Sequence, residues 1–395
     1  MWSSGRMAAA QQSRQPILIG VLAPFSHIDG QSIVNGAQLA ADEINKSGGI
    51  DGRPVKLMLY DTHLSAAEAV RAMQRAVQQD HVVAMTGVFT SEVALAVEPW
   101  AARLKVPTLY TGAATTVITE MVHKDYPTYK YVFHPFTNSH FLAEEVCGFA
   151  KDVLVGQLHY KTAVEMSEDA DWTKPVDASY KQCLATSGLK VLDYVRFSPN
   201  TNDFTPIYQK IEGLHPDVIL TAIAHVGVAP TVQWKQQRVP ALLAGISGQA
   251  GSTAFWKATN GACEGVVTQT TDAGGAAVTP LAATFSKAYS ARFGVDPAYN
   301  AFSEGDAILA LKHAIDAAKS TDGDALVLAL EKVDFVGLQG RIAFYGRDDQ
   351  YTHGLRYGPG YVTGVNFQWQ NGKQVVIWPE KIAQGKIQLP AFAEK

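Results

Sequence analysis

The residues in this sequence that could bind a small molecule are mostly hydroxyls and small side chains placed where an apolar run gives way to a helix pattern. Gly87-Val88-Phe89-Thr90-Ser91 ends one such run and opens a helix. Free backbone N–H groups and a hydroxyl at a helix start form a cradle for an anion or a polar head. Thr90 and Ser91 are therefore binding candidates; in the alternative they only cap the helix. Gly112-Ala113-Ala114-Thr115-Thr116 follows the next run. Its small residues let a ligand approach the backbone, and Ala113 and Thr115 are the candidates there, against an ordinary glycine turn. Asp169-Ala170-Asp171-Trp172 follows a later run, where Trp172 offers a large apolar wall with Asp171 beside it. Trp172 as plain core is the other reading. Ala224-His225 and Gly245-Ile246-Ser247-Gly248 occupy equivalent places. Ligands of open α/β sheets sit beyond the carboxyl ends of the strands, so His225 and Ser247 qualify. His27, in the loop Pro24 to Gly30, is a contact or a solvated loop histidine.

These groups do not assemble into a catalytic signature. There is no Gly-x-Ser-x-Gly elbow, no phosphate loop ending Gly-Lys, no dinucleotide glycine fingerprint and no His-Glu-x-x-His. Glu168 and Asp169 are neighbours that read as solvated turn charges, with nothing to assign them opposite protonation roles. The three cysteines, Cys147, Cys183 and Cys263, show no metal spacing. One disulfide plus a free thiol, or three buried thiols, both fit. The expectation is a binding protein with no cofactor and no metal.

The 395 residues suit two domains of ordinary size. Apolar residues make up 47% and charged residues 18%, a globular balance. The net charge of -4 comes with no basic run, which argues against nucleic acid as a partner. No apolar stretch is long enough to span a membrane. Residues 1–16 lack the apolar centre of a signal peptide and read as a disordered start, or as a scar joined to the remnant of a removed signal.

From Ile17 onward, short apolar runs alternate with helix-period segments. Ile17 to Leu22, Val55 to Tyr60, Val82 to Met85 and Pro107 to Tyr110 are strand candidates. Helices separate them, as in Ile33, Ala37, Ala40 and Ile44. This grammar predicts right-handed βαβ units and parallel sheets covered on both faces. It restarts after Pro135 with strands at Thr162 to Met166, Val191 to Val195, Asp217 to Ala222 and Leu242 to Ile246. The tail holds three helix patterns and a hairpin turning at Asn371-Gly372.

Several segments, in order, carry a resemblance. They include Ile19 to Pro24, Asn35-Gly36-Ala37-Gln38-Leu39-Ala40, Gly48 to Arg53, Gly87 to Ser91, Gly112 to Thr116, Asp203-Phe204-Thr205-Pro206 and Glu264-Gly265-Val266-Val267. With them the chain resembles the type I periplasmic solute-binding proteins of ABC importers, the branch that includes leucine/isoleucine/valine-binding proteins. The likeness runs from Ile17 to Trp378. It implies two doubly wound α/β lobes with parallel sheets, joined by a multi-crossover hinge. The lobes would interleave as residues 17–135 plus 265–343, and 136–264 plus 344–395. The resemblance implies a periplasmic protein, its signal peptide removed, that closes on a small ligand and presents it to ABC permease membrane subunits. It implies that Thr90, Ser91, Ala113 and Thr115 hold a ligand carboxylate and that the second lobe, led by Trp172, closes over it. A ligand-sensing module of the same fold is the alternative function.

Two departures bear on the ligand. Amino-acid binders of this branch often carry an acidic residue near Ser247 to neutralise an ammonium. With serine there, either Asp171 or Glu304 substitutes, or the ligand has no ammonium, since a buried unpaired charge is costly. The second option is favoured: an aromatic or short aliphatic acid, a keto acid or an amide. The Pro24 to Gly30 loop is also about three residues short, leaving Phe25, Ser26 or His27 to replace a customary tyrosine.

Overall fold

The computed structural model describes residues 15–271 and 278–394. Residues 1–14, on which most of the expected leader remnant falls, lie outside the described residues. The first stretch runs β1 (Ile17–Ala23), α1 (Ile28–Lys46), β2 (Val55–Asp61), α2 (Ala66–Gln78), β3 (Ala84–Gly87), α3 (Ser91–Leu104), β4 (Thr108–Tyr110), α4 (Val117–Lys124), α5 (Tyr126–Tyr129) and β5 (Val132–Phe133). Its strands form one parallel sheet in the order β2-β1-β3-β4-β5. The second stretch runs α6 (Ser139–Phe149), β6 (Thr162–Glu168), α7 (Thr173–Ser187), β7 (Lys190–Phe197), α8 (Thr205–Leu214), β8 (Val218–Ile223), α9 (Ala229–Gln237), β9 (Leu242–Ser247), α10 (Ala254–Ala258) and β10 (Val267–Thr270). Here the parallel order is β7-β6-β8-β9, the same winding as the first sheet. The remainder is α11 (Pro280–Phe293), α12 (Tyr299–Ala318), α13 (Gly323–Leu330), β11 (Asp334–Val336), β12 (Arg341–Ala343), β13 (Val365–Gln370) and β14 (Lys373–Trp378).

The doubly wound parallel sheets follow from burial on both faces. In β1 every residue except Leu18 is buried, as a parallel strand between two helical layers requires. Ile17, Ile19 and Val21 face the core built with α1, α12 and α13, and Leu22 faces the core built with α2 and α3. The second sheet is sandwiched in the same way between two cores. In both sheets the winding reverses beside the first strand laid down, between β1 and β3 and between β6 and β8. That is where open α/β sheets leave a crevice at their carboxyl ends.

One lobe boundary differs from expectation. β10 was placed with the first lobe by the boundary at residue 265. It instead pairs antiparallel with β13, which pairs with β14, and it packs beside β9 of the second lobe. The chain thus returns to the first lobe only beyond Thr271, and a strand partner some 100 residues further on left no local trace. The expected extended connection at Tyr129 to Pro135 also contains β5, the fifth strand of the first sheet. The hairpin at Asn371-Gly372 is present, both residues having positive φ of 52° and 75°.

Chain crossings are tied together. His134 N–H donates to His353 C=O, and Leu355 N–H donates to His134 C=O, so two crossing segments run bonded side by side. Phe141 stacks on Tyr357 at 4.6 Å, and the Tyr357 hydroxyl donates to Glu145. Cys147 and Cys183 form a disulfide between α6 and α7, and Cys263 is a buried free thiol. Among the described residues no helix is long and apolar enough to cross a membrane.

Candidate functional site

A cleft of about 550 Å³, counting the solvent at its mouth, lies between the carboxyl ends of the two parallel sheets. From the first lobe come Phe89 and Ser91 after β3, and Gly112 and Ala114 after β4. From the second come Trp172 after β6, Ala224 and His225 after β8, and Ile246, Ser247 and Gly248 at the end of β9. Phe136 and Leu142 at the first crossing, Gly251 just before α10, Gln269, Thr270 and Thr271 from β10 and its exit, and Tyr299 at the start of α12 complete the wall.

Backbone geometry sets the first-lobe edge. Gly87 has φ +96°, and a Cβ there would meet Leu22 O at 2.3 Å, so only glycine ends β3 in this way. Val88 follows with φ 67°, a left-handed conformation that strains a β-branched residue. Its N–H donates to Leu22 O, and its carbonyl accepts from Gly112 and Ala113 N–H, which locks the loops after β3 and β4 together. Thr90 then caps α3, its hydroxyl accepting from Val93 N–H at 3.4 Å. Ser91 faces the cleft, and its hydroxyl oxygen accepts from both Ala114 N–H (3.3 Å) and Thr115 N–H (3.1 Å). Both lone pairs of that oxygen are thereby engaged, and the hydroxyl can only donate. Among the described residues no acceptor for its proton stands within bonding distance.

The second-lobe edge is built on a buried charge. Glu168, the last residue of β6, is fully buried. Its carboxylate accepts from Trp172 Nε1–H (2.9 Å), from His225 N–H (2.9 Å) and from Val226 N–H (3.2 Å), and it lies 3.0 Å from His225 Nδ1. Burial pushes the Glu168 carboxyl up, but His225, the indole and the backbone amides outweigh it and hold it below its ordinary value. Burial pulls His225 down, but Glu168, with Glu92 and Asp29 further out, outweighs that and raises it above its ordinary value. Both shifts favour the ion pair, with the imidazole ring in the lining of the cleft. The reading of Glu168 as a solvated turn charge is corrected on this ground: the loop after β8 wraps its amides around the carboxylate.

The two edges meet. The Asp171 N–H donates to Glu92 Oε1 at 2.9 Å across the rim. The Phe89 ring lies against His27 (5.0 Å) on its own side and edge-on to His225 (5.6 Å) on the other. The Ser139 hydroxyl is 2.8 Å from Ala114 O and 2.7 Å from Trp172 O, bridging a loop of each lobe. This is a closed arrangement.

Of the nine residues singled out from sequence, Ser91, Trp172, His225 and Ser247 line the cleft. Trp172 belongs to the second-lobe core as well, so both readings of it hold together. The other five do not line it. Thr90 is spent on the cap. Ala113 donates to Val88 O and accepts from His134 Nε2 at 2.6 Å. Thr115 is fully buried, with its hydroxyl turned to Val117 N–H. Asp171 points to Lys174 at 2.6 Å. His27 caps α1 and stacks behind Phe89. Glu304, the other expected counter-charge for an ammonium, is sealed under the first-lobe edge between the hydroxyls of Thr86 and Thr111, and burial pushes its carboxyl up to about 7. Sequence reasoning missed Phe136, Leu142, Gln269 and Tyr299, which arrive from the crossings. Phe89 lay inside a quoted motif, and its bulk between two glycine turns was the available signal.

A family model described as periplasmic binding protein matches residues 16–359. A Leu/Ile/Val-binding protein homolog 7 from Brucella suis is 23% identical, over 97% of this chain and 96% of its own. The branched-chain amino acid transporter substrate-binding protein LivJ from Streptococcus pneumoniae, solved in complex with isoleucine, superposes with a TM-score of 0.78 at 21% identity, covering 91% of this chain and 97% of that one. A solute-binding protein of an ABC transporter from R. palustris, solved in complex with benzoate, gives a TM-score of 0.78 at 16% identity, covering 95% and 98%. With the family model spanning most of its length and the two-lobed cleft in place, this chain belongs to the periplasmic binding protein family.

Proposed function

We propose that this protein is the extracytoplasmic solute receptor of an ABC importer. It captures a small carboxylate-type ligand between its lobes and, once closed, presents it to the permease subunits in the membrane. One observation carries the reading: the cleft joins hydroxyl, amide and imidazole donors from both lobes around an apolar chamber, and the lobes are linked by tied crossings of the kind that bend as a hinge. The relatives solved with isoleucine and with benzoate each hold a carboxylate, in agreement with a donor-lined site. A disulfide in the second lobe fits an oxidising compartment. Among the described residues the lining shows no nucleophile hydrogen-bonded to a base, in agreement with a function of capture and release.

In the mechanism, the ligand docks on the first-lobe edge, where Ser91 is prepared by its two amide bonds. The second lobe then brings Trp172 and His225 over it and expels water. The ligand shifts the population because it contacts both edges only in the closed form. Native mass spectrometry of protein purified without added ligand tests the reading, together with small-angle scattering before and after removal of what co-purifies. The expected result is one bound small acid per chain and a more extended particle once it is stripped. An unchanged particle with no bound or bindable solute refutes it.

A further inference from the structure

We infer that His225, held by Glu168, selects the charge of the ligand, and that the cleft takes small carboxylates lacking an ammonium group in preference to the matching amino acids. This rests on the solute-binding reading above and specifies its ligand class.

The donors and acceptors of the wall point one way. Ser91 Oγ has both lone pairs occupied by Ala114 and Thr115 N–H and can offer only its proton. His225 Nδ1 is committed to Glu168, which leaves Nε2 to meet the ligand as a second donor, from the opposite lobe. Gln269 also lines the cleft, and its Nε2 is buried beside Gly364 with no hydrogen-bond partner among the described residues. Each of these groups seeks an acceptor. The described lining contains no Asp or Glu.

None of the carboxylates nearest to His225 belongs to the lining of the cleft. Glu168 is enclosed by the indole, the imidazole and two backbone amides. Glu92 accepts from Asp171 N–H. Asp29 Oδ1 accepts from Asn300 Nδ2 (3.0 Å), while its Oδ2 is buried behind the wall with no hydrogen-bond partner among the described residues. An ammonium brought into this chamber would lie among donors, near a cation, with no carboxylate in the described lining to meet it. A carboxylate would bridge Ser91 and His225, and its hydrocarbon part would meet Phe89, Phe136, Leu142, Trp172 and Ile246. His225 is the specificity-determining residue, and Glu168 is a positioning residue that fixes its tautomer and charge.

The test is calorimetric titration of protein stripped of ligand by unfolding and refolding, using two matched pairs: benzoate against L-phenylglycine, and 4-methylpentanoate against L-leucine. In each pair that binds, the acid should bind at least about tenfold more tightly than its amino acid. His225→Gln should weaken the acid by about tenfold to a hundredfold, the span of a hydrogen bond to a charged group. Because that variant leaves Glu168 unpaired, His225→Gln with Glu168→Gln serves as a second. It replaces the ion pair by two amides, and it should erase the acid preference while the thermal midpoint stays close to that of His225→Gln or above it. An amino acid bound as tightly as its acid, or an acid preference that survives the double variant, overturns the inference. Tight L-leucine binding with closure would do so while leaving the solute-receptor reading intact. No saturable binding by either acid at millimolar concentration also overturns it, and the co-purified ligand then decides whether the wider reading falls too.

Discussion

The two edges of the cleft solve the same problem in different ways. The first-lobe edge is electrically neutral where it meets the ligand. Its buried acids stay out of the lining, with Glu304 walled off beneath two threonines, and its working group is a hydroxyl whose direction is set by backbone amides. The second-lobe edge places a whole ion pair at the surface of the chamber, with a tryptophan and two backbone amides assembled around the carboxylate. A neutral, prepared edge can wait in water at little cost. A charged edge gains strength when closure removes the water, because the same pair interacts more strongly in a lower dielectric. The first edge is thus suited to docking and the second to closing.

Substitutions can break or sharpen that contrast. The largest effect is expected for Glu168→Ala, which leaves an imidazolium, an indole N–H and two amides without their acceptor. Breaking a buried pair in this way costs about 3–5 kcal/mol, so urea denaturation should show a loss of that order. A loss under about 1 kcal/mol would mean that the second edge is not organised by charge. Ser91→Ala comes next. It should weaken ligand binding by about tenfold to a hundredfold and also lower stability by about 1–3 kcal/mol in urea, since the oxygen it removes is the acceptor of two buried amides. An unchanged dissociation constant would take the first edge out of docking.

Glu304→Gln probes the sealed acid. Burial raises its folded-state value to about 7, above the 4.5 of an unhindered glutamate. The folded state therefore favours the protonated form: the contribution is fully present below about pH 4.5 and is lost as pH rises through about 7. The variant should remove a decline of roughly 1–3 kcal/mol across that window and leave ligand affinity unaltered. Asp306, also raised to about 7 by burial, keeps a similar decline of its own. A change in ligand preference in Glu304→Gln would show that the first edge does present charge. The smallest effect is expected at Thr115→Ala, whose hydroxyl turns inward to Val117 N–H. Its dissociation constant should change by less than about threefold.

The same contrast explains what was legible from the sequence. The alternating strands and helices of both parallel sheets were readable because apolar runs and helix periods are local, and their double winding came with the family resemblance. The loops after β3, β4, β6, β8 and β9 were readable because the strands that precede them define where a ligand sits. The atoms within those loops were not. Thr90, Ala113 and Thr115 are in the right loops with their polar groups spent on the backbone, and side-chain direction leaves no mark in residue order. Glu168 was misread because its partners come from a loop 57 residues further along. β10 was assigned to the wrong lobe, and Gln269 missed with it, because its partner β13 is remote in sequence.

The most direct measurement of the central claim is a crystal structure of the stripped protein after soaking or growth with benzoate. The account predicts one benzoate in the interlobe cleft, its carboxylate within hydrogen-bonding distance of both Ser91 Oγ and His225 Nε2 and its ring against Phe89 and Trp172. A saturated crystal with benzoate elsewhere, or with its carboxylate turned away from both edges, would contradict it.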